Sequence, residues 1–228
     1  MTDYKVEAAK AALQLIKPNQ TIGLGAGTTV SHLVSMISQK SELWPSLIFT
    51  SSSFKTTALL QEQGLRVQSP SLLSYLDIYF DGCDQFDSQL NALKSGGGIH
   101  TTEKILASMA KEFILIGDEG KFVQELGTKY PLVIEILPQA LQVVLSRLNS
   151  DFPDAQIKLR MSNQKDGAVI SENGNLLADI YFAKAFEPQK INIWIKMIPG
   201  IVDHSLFYRM ASKALIAGEK GISVITPV

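Results

Sequence analysis

A single cysteine, Cys83, stands in 228 residues, so no internal disulfide can form and a cysteine-rich metal site is excluded. Neither sign of charge dominates. Lys and Arg number 21 against 22 Asp and Glu, a net charge of −1, which leaves no basic field to hold nucleic acid. No apolar run approaches the roughly 20 residues of a membrane span. The first segment, MTDYKVEAAKAALQLIK, mixes acidic with basic residues, unlike a signal or transit peptide. His32, His100 and His204 stand apart, without HExxH or another metal spacing. A Gly-Lys-Ser/Thr phosphate loop and a GxSxG elbow are missing too. These absences predict a soluble, cytoplasmic chain with no nucleic-acid or membrane partner.

What is present is an ordinary globular balance, 46% hydrophobic and 19% charged. Thr2 is placed to cap a helix running to about Ile16, with Ala8, Ala11, Ala12 and Ile16 on one stripe. TIGLG reads as a buried strand and TVSHLVSMISQ as a helix. SLIFT is a strand, KTTALLQEQG a helix closed by Gly64, and LRVQ and LDIYF are two further strands. KILASMAK then reads as a helix and FILIG as a strand. Continuous apolar strands separated by helices predict an α/β fold with a mostly parallel sheet covered on both faces.

From about Leu132 the texture changes. LVIEIL, QALQVVLSRL, IKLRM, a hairpin centred on Asn173-Gly174, and the helix PQKINIWIKMI make a small α+β unit. The last segment, HSLFYRMASKALIAGEKGISVI, reads as a strand–turn–strand element returning to the first unit. The expected division is residues 1–130, completed by 205–228, with residues 131–204 as the smaller domain.

The polar residues cluster at strand ends. GLGAGTT, Gly23 to Thr29, joins a strand to a helix, offering free N–H groups, a helix N-terminus and the hydroxyls of Thr28 and Thr29 to an anion. A tight turn needing glycine is the bland alternative. Ser51 to Ser53 follow a second strand and suit a phosphate or a helix cap. FDGCDQFDSQLNALKSGGGIHTTEK, Phe80 to Lys104, is far richer in polar and glycine residues than a turn requires. Asp81 and Asp84 are each explicable as Asp-Gly turn residues, and Glu103 as a macrodipole-favoured acid in a first helical turn capped by Thr101. Together with Lys94 and Gly96 to Gly98 they are the parts for proton transfer beside a carbonyl. Lys121, in DEGK, is a fourth strand-end group able to reach a phosphate. Cys83, between two aspartates, is a poor nucleophile.

These segments resemble the type A ribose-5-phosphate isomerase family over nearly the whole chain. IGLGAGTT is similar to its Gly-x-Gly-Ser-Thr phosphate loop, YFDGCDQ to its DGADE strand end, and LKSGGGIHTTEKI to its KGGG–TREK segment. DEGKFVQELG, ENGNLLADIYF and IPGIVDHSLF resemble its DESK–LG, NGN and IPGVVENGLF segments. The resemblance implies a Rossmann-like doubly wound sheet with a smaller ferredoxin-like α+β domain. It implies an isomerase interconverting D-ribose 5-phosphate and D-ribulose 5-phosphate in the non-oxidative pentose phosphate pathway. No metal or other cofactor is implied, whereas a homodimeric or homotetrameric assembly is. Glu103 would be the base between C2 and C1. Asp81 and Lys94, with Asp84 nearby, would handle ring opening and hydroxyl protons, and the backbone of Gly96 and Gly97 would stabilise the enediolate. Ala26, Gly27, Thr28 and Thr29, with Lys5 and Lys121, would hold the phosphate; Gly82, Cys83 and Ser95 would line the substrate.

The chain departs from that pattern at Gln85 (an acid in DGADE), Ser95 (the first glycine of KGGG), Thr102 (the arginine of TREK) and Asp203-His204-Ser205 (Glu-Asn-Gly). Ser95 matters most, because a side chain restricts the loop if that residue needs φ > 0. Two other readings compete. An amino-sugar phosphate deaminase would need a different acid/base set. A non-catalytic sugar-phosphate sensor would need an attached DNA-binding module, for which a helix beginning at about residue 2 leaves no room.

Overall fold

The computed structural model describes residues 3–42 and 44–227. Helix α1 (Tyr4–Leu13) opens on Asp3, whose side chain accepts from the Lys5 N–H at 3.0 Å; Thr2, the expected cap, lies outside the described residues. The helix stops short of Ile16 because Pro18 disfavours helical backbone just before it, although Ile16 is still buried. Strand β1 (Thr21–Leu24), α2 (Thr28–Ser38), β2 (Ile48–Ser51), α3 (Phe54–Glu62) and β3 (Leu76–Asp81) follow as expected. LRVQ does not. It makes one parallel bridge, Val67 with Phe49, on the outer side of the edge strand β2 and then turns at Pro70.

The chain next makes two short strands, β4 (Gln85–Phe86) and β5 (Ala92–Leu93), before α4 (His100–Met109) and β6 (Ala110–Asp118). Helix α4 begins one turn earlier than the apolar run suggested. Thr101 therefore lies inside it rather than capping it; the N-cap is Ile99. A βαββαβ run comes next: β7 (Leu132–Ile136), α5 (Leu141–Asp151), β8 (Gln156–Leu159), β9 (Leu176–Tyr181), α6 (Pro188–Lys196) and β10 (Ile201–His204). The last strands are β11 (Leu206–Phe207), β12 (Lys213–Gly218) and β13 (Gly221–Ile225).

Three sheets result. The central one has the order β13-β12-β6-β3-β1-β2, with only the edge strand β13 antiparallel. Its strands send alternate side chains to opposite faces. Ile114, Ile116 and Leu215 pack with α1, α2 and α3, whereas Phe113, Leu115, Ala214 and Ile216 pack with Leu106 and Ala107 of α4. The sheet is thus covered on both faces, and β12 returns to it beside β6. The second sheet, β10-β7-β9-β8, is antiparallel throughout, and the tight turn at Asn173-Gly174 leads into β9. The third, β11-β5-β4, was not expected from the sequence, because strands of two residues carry no periodicity. It brings Lys94 beside the second unit, with its N–H bonded to the Ser205 carbonyl at 3.0 Å.

From β1 the chain leaves to β2 on one side and comes back to β3 on the other. Ligands of open α/β sheets bind at such a switch point, outside the carboxyl ends of the strands.

Candidate active site

The carboxyl ends of β1, β3 and β6 open onto a cavity of about 340 Å³, within the usual range for a small-molecule site. One end is built for an anion. Ala26, Gly27, Thr28 and Thr29 line it, together with Lys5 from α1 and Lys121 beyond β6. Gly27 is the N-cap of α2 at φ 102°, a left-handed value that favours glycine, and no side chain caps that helix. The first-turn N–H groups of α2 therefore face the cavity with the positive end of the helix dipole.

At the other end lies a buried triad of charge. Asp81, at the end of β3, is fully buried, and four donors converge on its carboxylate. They are the Tyr79 hydroxyl at 2.5 Å, the Gly82 N–H at 2.7 Å, the Ala26 N–H at 3.2 Å and the Lys94 ammonium at 2.9 Å. Gly25 is required here, since a Cβ on it would fall 1.9 Å from Asp81 Oδ1. Lys94 reaches Glu103 Oε1 at 3.3 Å and donates to the Gly82 carbonyl. Lys94 and Glu103 line the cavity, with Gly82, Cys83, Asp84, Gly96 and Gly97. Asp81 sits beneath the floor, in contact with Lys94.

The titration of these groups follows from burial and from two carboxylates sharing one cation. Burial pushes the Glu103 carboxyl up to about 8; Lys94 opposes that shift and Asp81 adds to it. Burial alone would lower the Lys94 ammonium, but Asp81 and then Glu103 hold it above the usual lysine range. Tyr79 is held well above its ordinary value by burial and then by the Asp81 charge, so it remains a donor. Burial pushes the Cys83 thiol up to about 12, which agrees with its exclusion as a nucleophile.

Residues 48–221 match the model of the family described as ribose 5-phosphate isomerase A (phosphoriboisomerase A). The chain belongs to that family. It is 33% identical over 226 residues to the ribose-5-phosphate isomerase A of Pyrococcus abyssi, covering 98% of this chain and 97% of that one. The protein of the same name from Buchnera aphidicola is 35% identical over 226 residues, with coverage of 99% and 98%. Among solved structures, ribose 5-phosphate isomerase A of Methanocaldococcus jannaschii superposes with a TM-score of 0.90 at 31% identity, covering 98% of both chains. A D-ribose-5-phosphate isomerase in complex with phospho-erythronic acid gives 0.91 at 31% identity, covering 98% of this chain and 97% of the other.

Several residues serve otherwise than their sequence position suggested. The serine turn does not line the cavity. Ser53 caps α3 through the Thr56 N–H, Ser51 Oγ accepts from the Ser53 N–H, and Ser52 Oγ lies 3.4 Å from the Tyr79 hydroxyl. Asp84 Oδ2 accepts from the N–H groups of Ser95, at 2.6 Å, and Gly96, at 3.2 Å, so the Gly96 donor is already engaged. Ser95 turns away from the cavity and donates its hydroxyl to the Pro131 carbonyl at 2.6 Å. Among the described residues the non-glycine positions at positive φ are Asn19, Leu90 and Arg209, so Ser95 introduces no left-handed strain. The Gln85 carboxamide accepts from the Gly127 N–H at 2.9 Å, using an acceptor in place of the family's acid.

Other groups escaped the sequence reading. Ile116, Gly117 and Asp118 also line the cavity. Tyr79 was not singled out within the strand LDIYF, yet a residue two before Asp81 on a strand shares its face, which is a usable signal. Glu135 of β7 is buried, and among the described residues no cation pairs with it. Its carboxylate accepts from Thr101 of α4 and from Ser171, Asn173 and Asn175 of the hairpin. Although burial would raise its carboxyl, these donors hold it below the usual range. Ser171, Asn173 and Asn175 are close together in the hairpin, but no local pattern ties them to Glu135, 36 to 40 positions away.

Proposed function

We propose that this chain interconverts D-ribose 5-phosphate and D-ribulose 5-phosphate, with Glu103 as the base that carries the proton between C2 and C1. The chain is an aldose–ketose isomerase. The observation that carries the residue assignment is Glu103, 3.3 Å from Lys94, on the floor of a cavity whose other end holds the α2 N-terminus, Lys5 and Lys121. Phosphate binding at that end orients the reacting carbons without taking part in the chemistry.

With the sugar ring open, Glu103 removes the C2 proton. The C–H electron pair forms the C1–C2 double bond, and the aldehyde oxygen becomes an enediolate oxygen. Return of the proton to C1, with transfer of the O2 hydroxyl proton to O1, produces the ketose. A carboxyl raised to about 8 is poised for proton transfer near neutral pH. Lys94 supplies positive charge to the oxygens and serves, with Asp81 behind it, in moving their protons during ring opening and isomerisation. Gly97 is the free backbone donor for the enediolate, since the Gly96 N–H is held by Asp84. Asp84 thereby acts on the loop rather than on the substrate.

The same proposal takes residues 1–130 with 205–228 as the catalytic domain and residues 131–204 as a smaller ferredoxin-like domain. Its support is the βαββαβ order and a core built mainly from Ile134, Val144, Ala178 and Ile195, which Leu93, Leu126 and Leu206 of the larger unit join. A place in the non-oxidative pentose phosphate pathway, a cytoplasmic setting and a homodimeric or homotetrameric assembly are further parts of the proposal.

Incubating the purified protein with ribose 5-phosphate and assaying ribulose 5-phosphate tests the activity; binding without turnover would favour a sensor instead. Lys121→Ala raises KM for ribose 5-phosphate about tenfold with a smaller change in kcat, as for loss of one charge-assisted contact. An unchanged KM removes Lys121 from the phosphate site.

A further inference from the structure

The loop that presents Gly96 and Gly97 is held from two sides, and one hold comes from a residue outside the cavity of the candidate active site. Arg160 follows β8, and its backbone is fixed in the second sheet, by N–H to the Leu177 carbonyl and carbonyl to the Val169 N–H, both 2.8 Å. Its guanidinium forks onto Asp179 of β9, with Nε at 3.0 Å and Nη2 at 2.5 Å from Oδ1. The same Nη2 donates to the Ser95 carbonyl at 3.0 Å. That carbonyl and the Gly96 N–H belong to one planar peptide unit and point in opposite directions. Arg160 grips the first and Asp84 grips the second, at 3.2 Å.

Two opposed contacts fix the rotation of a peptide plane; one contact leaves it able to rock. This plane is the last restrained unit before Gly96 and Gly97, where the backbone has its greatest intrinsic freedom. The direction of the next unit, which lines the cavity, is set by it. We propose that Arg160 is a positioning residue for the isomerisation: from the smaller unit it locks the Ser95–Gly96 peptide and so orients the Gly97 backbone donor for the enediolate. Asp179 serves as the anchor of Arg160. A guanidinium suits this work because one planar group can hold a carboxylate and a carbonyl together, which an ammonium cannot do with the same geometry.

The inference rests on the isomerase reading, and one experiment separates their failures. The full chain, Arg160→Met, and Arg160→Met combined with Asp179→Leu are compared for ribose 5-phosphate turnover. Thermal unfolding and the affinities for phospho-erythronate and inorganic phosphate are measured on the same proteins. The double variant leaves no unpaired charge, so it recovers the melting temperature that the single variant loses. Its kcat nevertheless stays about tenfold to a hundredfold below the parent's, with KM within about twofold, because the Ser95 carbonyl still lacks its donor. Binding of phospho-erythronate, which carries a carboxylate besides its phosphate, weakens by a similar factor, while inorganic phosphate binds unchanged. Recovery of kcat along with the melting temperature would overturn the positioning role and leave Arg160 as a structural ion pair. A rise in KM with weaker inorganic phosphate binding would overturn it as well. A parent protein without turnover overturns the isomerase reading and this inference with it.

Discussion

Glu103→Gln lowers kcat by about 10²–10⁴-fold, the range supplied by one positioned base, while KM for ribose 5-phosphate stays within about twofold. Glutamine keeps the shape and the contact to Lys94 but cannot take a proton, so the loss falls on the chemical step. The pH profile gives a second readout. The base works as a carboxylate, and burial raises its carboxyl to about 8 in the free site. In the parent, kcat/KM therefore climbs with pH and levels off above about 8; in the variant this limb disappears. Stability moves the opposite way. The folded value lies above the ordinary 4.5, so the favourable contribution of this group is complete below pH 4.5 and is lost as pH rises towards 8. Above pH 8 the glutamine variant, with one buried charge fewer, is the more stable protein, by a margin on the order of a few kcal/mol. Near-parental turnover in Glu103→Gln, or a variant less stable than the parent at pH 9, refutes this account of Glu103.

Lys94→Met has the second large effect, and it shows in folding as well as in rate. The ammonium is buried between Asp81 Oδ2 at 2.9 Å and Glu103 Oε1 at 3.3 Å, so its loss leaves two carboxylates with no cation between them. Breaking a buried ion pair from one side costs roughly 3–5 kcal/mol, which in a chain of this size lowers the melting temperature by roughly 6–20 °C. Catalysis falls too, since the enediolate loses its nearest positive charge. Removing the cation that lowers the Glu103 carboxyl moves that group further up, so residual activity shifts to higher pH. Circular dichroism melts and a pH–rate profile check both effects. A melting temperature within about 2 °C of the parent would show that Lys94 is not the counter-ion of this pair.

Much of the site was legible because its residues sit close together in sequence. Asp81, Asp84, Lys94, Gly96, Gly97 and Glu103 fall within a single connection between β3 and α4, and all but Asp81 line the cavity. The Gly23–Thr29 loop was legible for the same reason: a strand, a glycine turn and a helix start follow one another directly. Distribution of labour within the connection was not. Asp84 lines the cavity but also holds the loop through Oδ2, and Ser95 turns its hydroxyl onto Pro131. The serines after β2 look like phosphate ligands, but Ser51 and Ser53 serve the cap of α3.

The amino-acid sequence by itself determined the alternation of buried strands and helices, the place of each polar strand end, and the supply of acid, base and lysine. Those properties depend on neighbours a few residues apart, where periodicity and turn chemistry operate. Only the tertiary structure decided which carboxylate lines the cavity and which lies beneath it, which glycine N–H is already engaged, and that Arg160 and Glu135 reach Ser95 and Thr101. Some of those outcomes rest on contacts within one connection, as in Asp84–Gly96, and others on residues 34 to 65 positions apart, as in Thr101–Glu135 and Ser95–Arg160. Burial and opposing charge assign their roles, and both exist only once the sheets have packed.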